Sequence, residues 1–474
     1  MTNNIFWILE HRGSMAEKRT PKKTKRVVYP LALIPLAIIL FLFGWFFMIM
    51  FEGEKPAVTL QPLPEFLAKG QMFTVSVNDT KRGIKTLKVS LNQGGREIAV
   101  HEEKFPFRGL LNRQGVHDYQ KEILIDPLAL KLAQGEVDLF VHVRDYSRRG
   151  GGDGNLTLIQ HKMIVDTIPP AIRPVSRMHN INVGGTCLIA YQTSSDAVQS
   201  GIFVNDLFFP GFTGNADAQK GIRLCYFPLP HDVRSKPAIT LWAEDRAQNV
   251  TRANFYSHIR SKRFRVDAVN VTDRFLGLVL PNFSFYPFGA EDSDLKKFLK
   301  INNELREDSH RSLSQLKEKT GPEKRWEGAF LRLKKAATMS RFADRRIYYY
   351  KGKKVDEKDH LGIDLASLAN SPVQAANHGH IVFAERLGIY GNTVVIDHGQ
   401  GIASMYGHLS KIEVALDQDV QKGETIGYTG QTGLAGGDHL HFAIMVHGIF
   451  VNPIEWWDAH WIQDNISRKL DLIH

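Results

Sequence analysis

The longest apolar stretch of the chain runs from residue 31 to residue 51, reads LALIPLAIILFLFGWFFMIMF and contains no charged residue. About 20 consecutive apolar residues are enough for a helix to cross the hydrocarbon core of a bilayer. The stretch therefore predicts a transmembrane helix, within an anchor that we place at residues 27–54. A cleaved signal peptide is the alternative, but its apolar region is about 7–15 residues long and ends at a small-residue cleavage site, which this stretch lacks.

Charged residues flank the apolar stretch asymmetrically. Six lysines and arginines lie within residues 18–26, whereas glutamates at positions 52 and 54 follow the stretch. Because positive flanks remain in the cytoplasm, we expect residues 1–26 to be a cytoplasmic basic tail. We expect a single pass through the inner membrane of a Gram-negative cell, with the C-terminal domains in the periplasm. The segment Met15-Ala16-Glu17-Lys18 also has the form of a translation start, so Met15 is our alternative to Met1 as the first residue of the natural chain.

Apolar and polar residues alternate between residues 55 and 262, as they do in half-buried strands. The alternating run VDLFVHVRD ends at Asp145 and is followed by Asn155. The run ITLWAED ends at Asp245 and is followed by Asn249. This internal repeat has a period of about 100 residues, the size of an immunoglobulin-like sandwich.

The pattern resembles bacterial Ig-like repeats, which serve as spacers or binding arms. The join between the two repeats contains Pro169 and Pro170, which stiffen a linker and cannot continue a strand ladder. No cluster of chemically useful side chains stands out in either repeat, so we expect two spacer modules.

A connector follows, in which Leu295, Phe298, Leu299 and Leu305 recur at helical spacing. Residues 292–294, Asp-Ser-Asp, supply the chemistry of a helix start. The apolar stripe predicts a helix that either packs as plain structure or covers the catalytic domain and limits access to it.

Chain length and charge narrow the possible functions. At 474 residues the chain is too long for one hydrophobic core. Its net charge of +10 suits anionic partners such as membrane surfaces, nucleic acid and acidic wall polymers. Because part of this charge precedes the apolar stretch, membrane topology explains it, and we expect no nucleic-acid partner. The sequence gives no indication of a protein partner.

The two cysteines, Cys187 and Cys225, lie far apart in the sequence and form no C-x-x-C pair. They are either two buried thiols on strands or a disulfide, which an oxidising compartment would permit. Neither interpretation makes them catalytic.

A candidate metal site begins at His360-Leu361-Gly362-Ile363-Asp364. In an extended chain, residues of the same parity share a face, so His360 and Asp364 point the same way. Gly362 between them removes a side chain that would crowd an ion. An imidazole nitrogen and a carboxylate oxygen are both suitable zinc ligands.

Two further histidine elements complete the candidate site. In His439-Leu440-His441 the strand period puts both imidazoles on one face, and His408 lies in the segment Tyr-Gly-His-Leu between the other elements. Catalytic zinc takes three protein ligands and leaves one position for water, so one histidine of the pair completes the ligand set. The other histidine and His408 are then placed to accept a proton from that water and to stabilise an oxyanion.

Residues from about 346 to 454 resemble peptidase family M23, the LytM or lysostaphin-type zinc endopeptidases. The matching text includes HLGIDLAS, then SMYGHLS, then GGDHLHFAIMVHGIFVNP. The resemblance implies a small antiparallel β domain with an open groove. It also implies one zinc ion per chain bound by His360, Asp364 and His441, His439 as the general base, and His408 as the residue that stabilises the transition state.

The resemblance further implies that the substrate is the peptide cross-links of peptidoglycan, which an exported, membrane-anchored enzyme would meet directly. A non-catalytic M23-like regulator of wall amidases is one alternative, which the loss of a ligand would favour, and no ligand position is lost. A wall-binding protein that uses its Ig-like modules is the other.

The sequence as a whole predicts a mainly β protein with a transmembrane helix and a short helical connector. The remaining predicted parts are Ig-like β-sandwich modules at 55–168 and 169–262, a connector at 263–345, an antiparallel β M23 peptidase domain at 346–457 and a C-terminal tail at 458–474.

Overall fold

The computed structural model describes residues 33–213, 221–233 and 235–472. Contacts between α-carbons divide the chain into two units. The first contains the described residues up to Glu65, together with Gly70–Asp126 and Glu136–Met163. The second contains Phe66–Lys69, Pro127–Gly135 and the described residues from Ile164 onward.

Helix α1 covers Leu33–Met50, which is apolar throughout. The predicted anchor, residues 27–54, begins outside the described residues. Within the described part of the chain, no helix has the combination of length and apolar character that crossing a membrane requires.

The N-terminal module is built from two sheets, one of order β1-β3-β6 and one in which β8, β7, β4 and β5 are neighbours. Alternate residues of its strands are buried, for example Phe73, Val75 and Val77 on one sheet and Leu87 and Val89 on the other. This alternation is the one that the sequence pattern predicts for half-buried strands. The strands are β1 Ala57–Gln61, β2 Phe66–Leu67, β3 Gln71–Asn78, β4 Ile84–Gln93, β5 Arg96–Lys104, β6 Asp118–Ile125, β7 Gly135–Asp145 and β8 Leu156–Val165.

The second module contains two four-stranded sheets, β14-β15-β11-β9 and β13-β12-β16-β17, and a parallel pair of β10 with β18. The mainly β class is confirmed, while the Ig-like topology of the modules stays a prediction. The strands are β9 Ile172–Pro174, β10 His179–Asn182, β11 Thr186–Thr193, β12 Ala197–Val204, β13 Leu207–Pro210, β14 Phe212–Thr213, β15 Ile222–Pro228, β16 Ile239–Asp245, β17 Val250–Ala253 and β18 Ser257–Arg260.

The two cysteines lie on adjacent strands of the second module as free, buried thiols. Cys187 on β11 is opposite Phe227, whereas Cys225 on β15 is opposite Ile189. Burial raises the pKa of the Cys187 thiol to about 11. Of the two alternatives left by the sequence, the structure contains the pair of buried thiols.

The internal repeat corresponds to one hydrogen-bonding arrangement that occurs in both modules. The side-chain amide of Asn155 donates to Oδ2 of Asp145 at 2.8 Å and to the carbonyl of Glu54 at 3.0 Å. The amide of Asn249 donates to Oδ2 of Asp245 at 3.0 Å, and it donates to the carbonyl of Asp166 at 2.9 Å. Each asparagine therefore ties the end of a long strand to the segment through which the chain enters its module.

The predicted connector contains the predicted helix and strand β19, which pairs with β21 of the segment that follows in a three-stranded sheet of order β19-β21-β22. Ser293 caps helix α3, because its side chain accepts a hydrogen bond from the backbone N–H of Lys296. A π-helical turn at Ile301–Leu305 joins α3 to α4. The elements are β19 Val266–Val271, α2 Asp273–Val279, α3 Asp294–Lys300, α4 Arg306–Gln315, β20 Ala337–Ser340, β21 Arg345–Tyr350 and β22 Lys353–Asp359.

The C-terminal domain is built on a large antiparallel sheet of order β20-β23-β31-β27-β26-β25-β29, with a smaller sheet β24-β30-β28. Its central strand β31 is buried along its whole length. The elements are β23 Ile363–Ala366, β24 Pro372–Gln374, β25 Gly379–Leu387, β26 Gly391–Asp397, β27 Ile402–Leu409, β28 Lys411–Ile412, β29 Asp419–Val420, β30 Thr425–Tyr428, β31 Leu440–Val446, β32 Ile449–Val451, α5 Pro453–Trp457, α6 Ala459–Ile462 and α7 Arg468–Leu470.

One hydrophobic core joins the second module, the connector and the C-terminal domain. Leu188 and Tyr226 of the second module belong to the same buried cluster as Ile301 of the connector and Phe442 of β31. The carboxylate of Glu455 also accepts a hydrogen bond from the backbone N–H of Thr186 at 2.9 Å. The second module, which the sequence suggests is a spacer, is therefore packed against the body of the C-terminal domain.

Candidate metal centre

Two neighbouring strands bring the predicted ligands together. Asp364 on β23 lies directly opposite His441 on β31, and His360 precedes β23 by three residues. Oδ1 of Asp364 is 2.9 Å from Nε2 of His360 and 2.9 Å from Nδ1 of His441. The two imidazole nitrogens are 3.0 Å apart, and all three side chains are buried. The three residues could hold a metal ion.

Gly362 makes this approach possible. A Cβ atom at position 362 would lie 2.4 Å from Nε2 of His441 and 2.8 Å from the carbonyl oxygen of Phe442. Neither the buried imidazole nor the backbone has room to move by that much. The sequence suggested that this glycine leaves room for an ion, and the structure shows that it leaves room for the His441 ring.

Hydrogen bonding fixes which nitrogen of His360 faces the site. Its Nδ1 is 3.0 Å from the carbonyl oxygen of Arg341, which can only accept, so Nδ1 carries the proton. The Nε2 lone pair is then directed toward the carboxylate of Asp364. Two acceptors this close are stable only with a cation or a proton between them.

The donor set fits zinc. Ligands about 2.0–2.1 Å from a tetrahedral ion are about 3.3 Å apart, close to the separations seen here. Burial lowers the pKa of His360 and lowers that of His441 to about 4, so both imidazoles are neutral at pH 7. Neutral imidazole is the form that binds a metal.

Asp364 is ionised despite its burial. Burial by itself would raise the pKa of this carboxyl, but the surrounding histidine side chains, His360 foremost, hold it well below its usual range. On the far side of the carboxylate, Nη2 of Arg346 donates to Oδ2 at 2.7 Å. Arg346 lies on β21, eighteen residues before Asp364, and no local motif marked it in the sequence.

His439 and His408 stand beside the three ligands, with their ring centroids 4.8 Å apart. Nδ1 of His439 donates to the carbonyl of Gly437 at 2.8 Å, and Nδ1 of His408 donates to the carbonyl of Thr432 at 2.8 Å. In the neutral form, each ring therefore has a bare Nε2 that can accept a proton. His408 holds this position with a φ of 63°, a backbone strain that is common at functional sites.

The two rings differ in basicity. Burial alone would lower the pKa of His439, but the nearby Asp364 carboxylate, 3.6 Å from its Nε2, raises it above the usual value. Burial and the neighbouring His439 and His441 hold the pKa of His408 well below the usual value. His439 is therefore the stronger proton acceptor of the two.

All five predicted site residues line one cavity of about 270 Å³. The connector contributes to the same cavity through Phe275, Phe298 and Arg306. The sequence left two alternatives, a connector that packs as structure or one that covers the catalytic domain and limits access. Its residues pack in the core and line the cavity, and limited access stays a prediction. Arg306 was not identified from sequence, because nothing in its local pattern distinguishes it from the surface charges of helix α4.

Comparison with known proteins matches the C-terminal domain to a family. Residues 358–453 match the family model of Peptidase family M23. The DD-carboxypeptidase/endopeptidase Mpg of Neisseria meningitidis is 43% identical over 95 residues, which are 20% of this chain and 22% of that protein. The peptidoglycan DD-endopeptidase ShyA of Vibrio cholerae is 40% identical over 96 residues, again 20% of this chain and 22% of that protein. The chain thus spans about a fifth of the length of the curated relatives it matches.

The solved catalytic domain of the antimicrobial peptidase lysostaphin from Staphylococcus simulans is 26% identical to the corresponding part of the chain. The match covers 28% of this chain and 98% of that domain, with a TM-score of 0.25.

Proposed function

This chain carries a peptidase M23 domain at its C-terminus, and we propose that it is a zinc metalloendopeptidase that hydrolyses peptide cross-links of peptidoglycan. The observation that carries the proposal is the meeting of His360 Nε2, Asp364 Oδ1 and His441 Nδ1 within 3.0 Å of one another. The names of the relatives matched over this domain, which include DD-endopeptidases of peptidoglycan, support the choice of substrate.

One bound zinc ion would supply Lewis acidity and a water molecule that loses its proton near pH 7. His360, Asp364 and His441 are the residues that would hold it. Arg346 and the carbonyl of Arg341 keep the Asp364 carboxylate and the His360 ring in orientation.

His439 moves the proton in this proposal. Its Nδ1–H is engaged by the Gly437 carbonyl, so Nε2 takes the proton from water and later gives it to the leaving amine. Despite burial, the Asp364 carboxylate raises the pKa of His439, and a raised pKa makes Nε2 a better proton acceptor.

His408 stabilises the transition state in this proposal. With Nδ1 bonded to the Thr432 carbonyl, its Nε2 donates a hydrogen bond only when the ring takes up a second proton. Because burial and the neighbouring histidines hold the pKa of His408 low, the ring takes up this proton only as negative charge develops on the substrate oxygen.

The proposal extends to location. We place the segment at residues 27–54 in the inner membrane as a single-pass anchor, the basic tail in the cytoplasm and the peptidase domain in the periplasm. The support is the apolar composition of the segment and the excess of lysine and arginine before it. In this location the enzyme would meet peptidoglycan directly.

Zinc content and digestion of purified peptidoglycan test the function in the full-length chain. We expect about one zinc per wild-type chain and release of peptide fragments. His441→Ala should lose zinc and activity, whereas His439→Ala should keep zinc and lose turnover. His460→Ala, an exposed histidine on α6, is the matched control and should behave as wild type.

Two outcomes would contradict the proposal. A chain that binds no zinc is not a zinc peptidase. A chain that binds zinc but cuts no peptidoglycan, while stimulating a wall amidase in a mixed assay, would be a regulator.

A further inference from the structure

Arg306, the first residue of helix α4, lines the cavity that contains the metal centre, although it lies outside the region matched to the peptidase family. Its side chain is half-buried and makes hydrogen bonds only to Asn302 among the described residues. No described carboxylate forms an ion pair with it. A partly buried guanidinium that has no counter-ion favours the binding of an anionic group.

Asn302 holds the guanidinium in a fixed orientation. Its Oδ1 accepts from Nη2 of Arg306 at 2.6 Å, and its backbone carbonyl accepts from Nε at 3.2 Å. Asn302 is itself fully buried, and its amide donates to Oδ2 of Asp356 at 2.8 Å, which determines which way the amide faces. Two of the five guanidinium N–H groups are thus used, and three are left for a ligand.

The other charged groups that line the cavity already have partners. Asp364 is paired with Arg346 at 2.7 Å, and Asp267 lies 3.8 Å from Arg265. Among the described residues that line the cavity, none therefore neutralises the charge of Arg306, and a divalent cation bound at the candidate metal centre would add to the positive potential. The π-helical turn Ile301–Leu305 directly precedes Arg306, and such turns are frequent at functional sites.

We propose that Arg306 binds a free carboxylate of the substrate peptide beside the bond that is cut. A planar guanidinium can donate two parallel hydrogen bonds to a carboxylate, and this geometry gives both affinity and orientation. The site then selects anionic peptides over neutral ones. This inference rests on the proposed function, since it takes the cavity to be the place of peptide hydrolysis.

Cross-linked muropeptide dimers, with their carboxylates free or chemically amidated, test the inference in the zinc-loaded full-length chain. We expect wild type to cut the free dimer with a kcat/KM about tenfold to a hundredfold above that for the amidated dimer. Arg306→Gln should lose most of this preference by slowing cleavage of the free dimer alone. Arg306→Lys keeps the positive charge but cannot donate two parallel hydrogen bonds, so its preference for the free dimer should lie between those of wild type and Arg306→Gln.

The matched control is Arg311→Gln on the same helix, because Arg311 is exposed and paired with Asp308 at 2.9 Å. It removes an equal charge outside the cavity and should keep the wild-type preference. Thermal unfolding and zinc content show whether each variant is folded. Calorimetric binding of both dimers to His439→Ala, with and without Arg306→Gln, gives a readout that does not depend on turnover.

The outcomes separate the two proposals. If wild type and Arg306→Gln cut both dimers with the same ratio, Arg306 does not bind a substrate carboxylate, while the peptidase function stands. If wild type neither binds nor cuts either dimer, the proposed function itself fails, and the role of Arg306 fails with it.

Discussion

Nη2 of Arg346 donates a hydrogen bond to Oδ2 of Asp364 at 2.7 Å, so that Oδ1, the other oxygen of the same carboxylate, faces His360 and His441. The arginine is on β21 and the aspartate on β23, in two different sheets. Burial alone would lower the pKa of Arg346, but the Asp364 charge outweighs it and raises that pKa, so the pair remains ionic. The orientation of this candidate metal ligand thus depends on a residue outside the region matched to the peptidase family.

Replacing Arg346 by Gln should weaken zinc binding about tenfold to a hundredfold, as the loss of groups that orient metal ligands typically does. Arg345→Gln is the control, because Arg345 is the adjacent residue but is exposed and paired with Glu357 instead. Zinc affinity is measured by competition with a chromophoric chelator. Equal affinities for the two variants would show that Arg346 does not orient the ligand.

Gly362→Ala should abolish zinc binding and lower the free energy of unfolding by about 1–3 kcal/mol, because the new Cβ would force the His441 ring out of position. Gly277→Ala on helix α2 meets no atom within 4 Å and should be neutral or slightly stabilising. Zinc content and thermal unfolding of both variants check this. A Gly362→Ala chain with a full complement of zinc would refute the steric argument.

Stability should fall as the pH drops from about 6.5 to about 4. Burial lowers the pKa of His398 and of His447 to about 4, whereas both titrate near 6.5 when unfolded. Between these values only the unfolded chain takes up the protons, so their contribution to stability is present above pH 6.5 and is lost toward pH 4. Unfolding temperatures at a series of pH values test this, and His447→Gln should reduce the dependence. A flat profile would contradict it.

The asparagine that closes the second module should contribute measurably to stability. Asn249→Ala removes the hydrogen bonds to Asp245 and to the carbonyl of Asp166, at an expected cost of about 1–3 kcal/mol. Asn249→Asp should cost more, because it places a second carboxylate against Asp245. Urea denaturation compares the two variants. If the aspartate variant proved as stable as wild type, the hydrogen bonds donated by the Asn249 amide would not contribute to stability.

Local sequence pattern determined much of the candidate metal centre. Strand parity placed His360 and Asp364 on one face, and it placed His439 and His441 on one face, because side chains alternate strictly along an extended backbone. The repeated aspartate and asparagine pairs were also visible, since each pair closes one module through contacts that recur at the same place. Such features depend on residues that are close in the chain.

The tertiary structure decided what depends on distant segments. Strand parity left open which histidine of the His439-Leu440-His441 pair joins the ligands, and the pairing of β23 with β31 places His441 directly opposite Asp364. No periodicity in the sequence indicates that Arg346 and Arg306 lie beside the site. None indicates the core shared with the second module either. They follow from which surfaces pack together in three dimensions, and an alternation of polar and apolar residues specifies the buried face of a strand without specifying its partner.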